Sequence, residues 1–141
     1  MKIRRMGRAQ LGHAACAPWH LARARALHAV LPAPQIFARL RAATPPGRGA
    51  PPDPALMGWA LQGWGKRVPW RADCLVQALA ARLWLERSGT ASVLRLGARR
   101  LDGGILAHAW LEVDGIPVSG GAPSPALAMF EGDAKGGADK D

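Results

Sequence analysis

A chain of 141 residues, 49% of them hydrophobic, carries enough apolar mass for one modest core of about 100 residues and no more, which excludes a multidomain architecture. Its two cysteines, Cys16 and Cys74, stand in unlike settings and exclude a disulfide-framed scaffold, so a reducing compartment is expected. The net charge of +9 is uneven: residues 1–52 hold nine Lys or Arg and no acid, whereas residues 53–130 are nearly balanced.

The basicity therefore belongs to an N-terminal arm, which either attracts an acidic partner, nucleic acid or a membrane surface, or is a solvated helix face. Lys2, Arg4, Arg5 and Arg8 resemble the start of a signal peptide, and His13-Ala14-Ala15-Cys16 faintly resembles a lipoprotein cleavage site. Gln10 and His13 interrupt the apolar run that either would need. No stretch approaches the roughly 18 apolar residues of a membrane span. A cytoplasmic protein is the expectation.

Residues 18–43 read as helix, with Leu21, Ala24, Leu27, His28 and Leu31, then Ile36, Phe37 and Leu40, at helical spacing. Pro32 and Pro34 divide the stretch in two. Residues 44–54 are too rich in Pro and Gly for helix or central strand and form a linker or an ordered turn. A third helix is predicted from Pro54 to Trp64, its stripe formed by Leu56, Trp59, Ala60 and Trp64. Asp73 then caps a fourth helix, about Cys74 to Ser88, closed by Gly89. Leu75, Ala78, Leu79, Leu83 and Leu85 are its buried positions, and Arg82 and Glu86 an i,i+4 pair on its wet side.

The period then changes to alternation. Residues 92–97 form a strand, 101–104 a turn, and 105–113 a second strand. Asp114-Gly115 is a two-residue hairpin turn into a third strand, 116–118. Pro117 puts that strand at an edge. Residues 122–141 read as a disordered tail, with a docking turn at Leu127 to Phe130. The order of helices before strands predicts an α+β fold: a basic helical region with its linker (1–53), a core (54–121) and the tail (122–141).

Two residues carry the chemistry. Cys74 opens the fourth helix, where the positive end of the helix dipole favours a thiolate, and His108 lies in the second strand; an imidazole beside such a thiol supports a nucleophile. Alternation puts His108, Trp110 and Glu112 on one face of that strand and Ala107, Ala109, Leu111 and Val113 on the other. The alanines flanking His108 allow a helix to pack closely, and Trp110 can shield an ion pair from water. A third group usually orients the imidazole. Glu112, four residues on, is about 13 Å away along an extended strand and does not reach His108 directly. With Asp114-Gly115 as the turn, Ser119 is the nearest cross-strand polar side chain. Its hydroxyl can accept the imidazole N–H, although it stabilises imidazolium less than a carboxylate does.

The segment Val68-Pro69-Trp70-Arg71-Ala72-Asp73-Cys74-Leu75-Val76-Gln77-Ala78-Leu79-Ala80, the strand Leu94-Arg95-Leu96-Gly97, and Ala107-His108-Ala109-Trp110-Leu111-Glu112-Val113-Asp114-Gly115 together resemble the lasso peptide biosynthesis B2 proteins. Those are cysteine proteases of transglutaminase-like type. The resemblance covers residues 54–121. It implies a small transglutaminase- or papain-like cysteine protease fold, in which a core helix begins at the cysteine and packs on a short antiparallel sheet. It also implies a leader peptidase that cuts a ribosomally made precursor between leader and core. Its partners would be that precursor, a small leader-binding B1-type protein and the ATP-dependent cyclase that takes the core, with no cofactor, metal or nucleic acid. Carried over by position, Cys74 is the nucleophile and His108 the general base and acid. The acidic third residue of that family falls near Ser119-Gly120-Gly121, where this chain has none, which leaves Ser119 as the substitute or a dyad of two.

Set against this are plainer readings: a lone helical cysteine is more often a small buried apolar residue, and a strand histidine a satisfied core or surface group. The functional alternative is a non-catalytic module whose basic arm holds an acidic protein or nucleic acid. Its binding would fall steeply with salt and ignore alkylation of Cys74.

Overall fold

The computed structural model describes residues 7–69, 73–119 and 128–130. Helix α1 (Arg8–Val30) begins at Arg8 instead of position 18 and runs straight through Pro18. Gln10 Oε1 accepts the Gly7 N–H at 3.0 Å across its first turn. Proline inside a helix removes a rung of the ladder, but here the helix on both sides of Pro18 buries Ala17, His20, Leu21 and Ala24, and that burial outweighs the lost rung. The outer face of α1 leaves Leu11, Trp19 and Val30 exposed. At Pro32, extended at φ −64 and ψ 150, the chain turns into α2 (Ala33–Arg41), which buries Ile36 and Leu40. The break falls where the prolines predict it.

The Pro/Gly-rich stretch is an ordered strap laid over the C-terminal end of α4 (Cys74–Glu86). Its Arg48 and Gly49 N–H groups donate to the Arg87 carbonyl at 3.0 and 2.8 Å, so a helix-end carbonyl that would otherwise lack a partner is satisfied twice. The contact needs two glycines. Gly89 closes the helix at φ +70, and a Cβ on Gly47 would stand 2.5 Å from the Gly89 nitrogen and 2.6 Å from the Arg87 oxygen. Gly47→Ala must displace backbone and is expected to cost about 2 kcal/mol by urea denaturation. Gly49→Ala, whose Cβ would meet the same carbonyl at 3.2 Å, is expected to lose less.

Helix α3 (Pro54–Gly65) starts at Asp53, whose Oδ1 accepts the Leu56 N–H at 3.1 Å. The Asp53 N–H in turn donates to His13 Nε2 at 3.0 Å, and His13 Nδ1 donates to the Ala9 carbonyl at 2.6 Å, tying α3 to α1. The buried residues are Met57, Ala60 and Leu61, a face rotated from the predicted stripe of Leu56, Trp59, Ala60 and Trp64. Helix α4 is enclosed along most of its length: Val76 and every residue from Ala78 to Leu85 are buried, as a helix apolar on all sides requires. α1 and α3 both pack on it, and the sheet closes it through β2 (Gly104–Val113).

Arg82 lies in that enclosed stretch, on the inside of the fold and not on the wet side of α4. Its Nε donates to Glu86 Oε2 at 2.9 Å, and its two terminal nitrogens donate to the Ala42 and Ala43 carbonyls at 2.8 and 3.1 Å. Glu86 also takes Arg39 Nη2 at 2.8 Å. One carboxylate and one guanidinium thus hold the end of α2 to α4.

The sheet is antiparallel, in the order β3-β2-β1-β4. β1 (Val93–Leu101) and β2 join through Asp102-Gly103, with Leu101 opposite Gly104. β2 passes to β3 (Ile116–Pro117) through Asp114 and Gly115, at φ 51 and 79, the signs of a type I′ hairpin. β3 is an edge strand, as Pro117 predicts, and the Val118 N–H still donates to the Leu111 carbonyl at 2.9 Å. The other edge is β4 (Ala128–Phe130), paired with β1 at Leu96, Gly97 and Ala98. A strand therefore stands where the sequence predicts a docking turn. The rest of the predicted tail lies outside the described residues.

His20, on the core face of α1, is fully buried and stacks on Trp84 with centroids 5.0 Å apart. Its Nδ1 and Nε2 have no hydrogen-bond partner among the described residues. Burial, helped by the charges of Arg23 and Arg87, pushes its pKa down to about 4 from 6.5. Between those values the unfolded chain binds a proton that the fold refuses, so stability falls as pH drops from 6.5 towards 4. His20→Phe keeps the stack and removes the unpaired nitrogens. It is expected to gain about 1–2 kcal/mol at pH 5 and to flatten this dependence, read by urea denaturation at pH 5 and 7.

Candidate active site

Cys74 is the first residue of α4, and Asp73, extended at φ −73 and ψ −176, is its N-cap. Asp73 Oδ1 accepts the Val76 N–H at 3.1 Å, which leaves the earliest amides of the helix, Cys74 among them, at its positive end. The thiol is neither sealed in the core nor free in solvent: Cys74 is half-buried and packs against the edge of the apolar cluster. Asp73→Ala is expected to cost about 1 kcal/mol through loss of this cap, measured by thermal denaturation. The sequence motif just ahead, residues 70–72, lies outside the described residues.

His108 is half-buried in β2, opposite Gly97 of β1. The alternation predicted from sequence is present. Ala109, Leu111 and Val113 join α1, α3 and α4 in one apolar cluster, while the intervening row carries the polar chemistry. In that row the His108 ring stacks on Trp110 with centroids 5.3 Å apart and planes inclined by 24°. The fully buried Trp110 donates its Nε1–H to Glu112 Oε2 at 2.8 Å. Arg95, opposite Trp110 on β1, pairs through Nε with Glu112 Oε1 at 3.3 Å.

Cys74 and His108 are carried by two elements that pack on one another, α4 and β2, and no hydrogen bond joins thiol to imidazole in the described structure. Ser119 is buried, and its Oγ accepts the Leu111 N–H at 3.0 Å. It bonds to the backbone of β2 and not to the His108 ring. Sequence reasoning set Glu112 aside as too far from His108 and missed that Trp110 bridges the two; the i, i+2, i+4 spacing along one strand was the available signal. Cys16, the other free thiol, lies in α1 on a groove of about 310 Å³ with His13, Pro51, Pro52 and Trp84. Among the described residues no three His, Cys, Asp or Glu side chains converge as a metal site, and no helix is long and apolar enough to cross a membrane.

The family model described as the transglutaminase-like superfamily matches residues 19–129, a span that holds α4, strands β1 to β3, Cys74 and His108. No curated protein and no solved structure matches the chain.

Proposed function

Since the chain belongs to the transglutaminase-like superfamily, we propose that it is a cysteine peptidase that removes the leader from a ribosomally synthesised lasso peptide precursor before macrolactam formation. The observation that carries this reading is Cys74 itself: a half-buried thiol at the first position of a capped, core-enclosed helix. Added support comes from His108 on the strand against which that helix packs, inside the matched span.

In the reaction, His108 takes the Cys74 proton and the sulfur attacks the carbonyl carbon of the last leader residue. The Cys74 backbone N–H, at the positive end of α4, stabilises the oxyanion. The C–N bond breaks as His108 returns its proton to the amine of the core, which leaves. Water, deprotonated by His108, then hydrolyses the thioester and frees the leader acid. Ser119 serves this site through the strand, its bond to Leu111 holding β2 in register three residues from His108.

The partners are the precursor, a leader-binding B1-type protein and the cyclase. Incubating a lasso precursor with this protein and the leader-binding protein should yield two masses that sum to the precursor plus one water. A thiol reagent at low dose and neutral pH should add its mass to Cys74 and stop the reaction. Cleavage that survives full alkylation of Cys74 overturns the proposal, as does a product in which another amine has replaced water.

A further inference from the structure

We propose that Glu112 is a positioning residue for His108, acting through Trp110. The proposal rests on the cysteine-peptidase reading for its catalytic consequence, but its geometry stands without it. None of the hydrogen bonds among the described residues reaches the His108 ring. The residue opposite it on β1 is Gly97, which has no side chain to hold it. Among the described residues, the ring that meets the imidazole is the indole of Trp110, 5.3 Å away and inclined by 24°.

An indole ring is a good platform only if it cannot turn about its own bonds. Burial restricts Trp110 on its faces, and Glu112 Oε2 holds its one polar atom at 2.8 Å. Glu112 is itself held, because its second oxygen pairs with Arg95 on the neighbouring strand. The chain of constraint runs Arg95, Glu112, Trp110, His108. The same indole face is the negative side of the ring quadrupole, an attractive surface for the imidazolium that forms when Cys74 gives up its proton. Trp110 thus supplies orientation and electrostatic support from a stacked ring, while the Ser119 hydroxyl is bonded to the Leu111 amide.

The test combines ring NMR with kinetics on the full chain. In the wild type the His108 ring protons, assigned by their loss in His108→Gln, should be displaced by the indole ring current. Glu112→Ala should move them towards the positions of an unstacked histidine and lower kcat about tenfold with KM unchanged. Glu112→Gln, which keeps an acceptor for the indole N–H, should restore both. Arg95→Met, which frees only one Glu112 oxygen, should move them less and in the same direction, and it decides the matter if Glu112→Ala does not fold. His108 signals unmoved in Glu112→Ala or Arg95→Met overturn the proposal, as does a Glu112→Gln variant as impaired as Glu112→Ala. If the wild type cleaves nothing, the peptidase reading falls while the ring signals still decide whether Glu112 positions His108.

Discussion

Cys74→Ala should lower precursor cleavage at least about a thousandfold and leave the melting temperature within a few degrees of the wild type. The asymmetry has a structural reason. Alanine is the best helix former, the Asp73 cap and its bond to Val76 remain, and a half-buried thiol contributes little packing that a methyl group does not replace. His108→Ala should cut activity comparably, because a thiol without its proton acceptor loses the attack and the leaving amine loses its proton donor. The double variant should be no worse than either single one, since the two act as a unit. Cleavage followed by mass spectrometry with the leader-binding protein present reads all three. Full activity in either single variant would remove that residue from the mechanism. Binding that depends on residues 1–48, falls with salt and ignores Cys74 alkylation would favour the basic module in its place.

Arg82→Met should cost about 3 kcal/mol, a fall in Tm of roughly 10 °C, whereas Arg39→Met should cost under about 1 kcal/mol. Each variant deletes one positive charge beside the same carboxylate, Arg39 losing two bonds to it and Arg82 one. They differ in burial, since the Arg82 side chain is 2% exposed and that of Arg39 37%. Losing Arg82 also breaks its bonds to the Ala42 and Ala43 carbonyls, which releases the segment after α2 from α4, and leaves Glu86 without its enclosed partner. Equal losses in the two variants would show that the interior bonds add nothing.

Glu86 adds a pH dependence to this cluster. Burial pushes its carboxyl up, but hydrogen bonds and charge from Arg39 and Arg82 together outweigh that and hold it below its usual 4.5. A depressed carboxyl stabilises the fold above the unfolded value, so this contribution is present above about pH 4.5 and is lost as pH falls through the folded value. Arg39→Met should weaken the dependence, measured as the change in Tm across that acid range.

Much of the site's local framework was legible in the residues alone. Asp73 before Cys74 is a capping arrangement read from adjacent positions, Asp114-Gly115 a turn that tolerates positive φ, Pro32 a helix break and Pro117 an edge marker. Each depends on atoms within a few residues of one another, so the sequence by itself determined where α4 begins, where the hairpin turns and which strand row holds His108. Other features wait on what packs where. The passage of α1 through Pro18, the rotated face of α3, the burial of Arg82 and the seating of β4 on β1 follow from long-range burial and pairing, which local propensity does not encode. Glu112 shows the division within one side chain. Strand geometry correctly kept it from reaching His108, and only the packed indole of Trp110 between them turned a distant carboxylate into a contact that can matter.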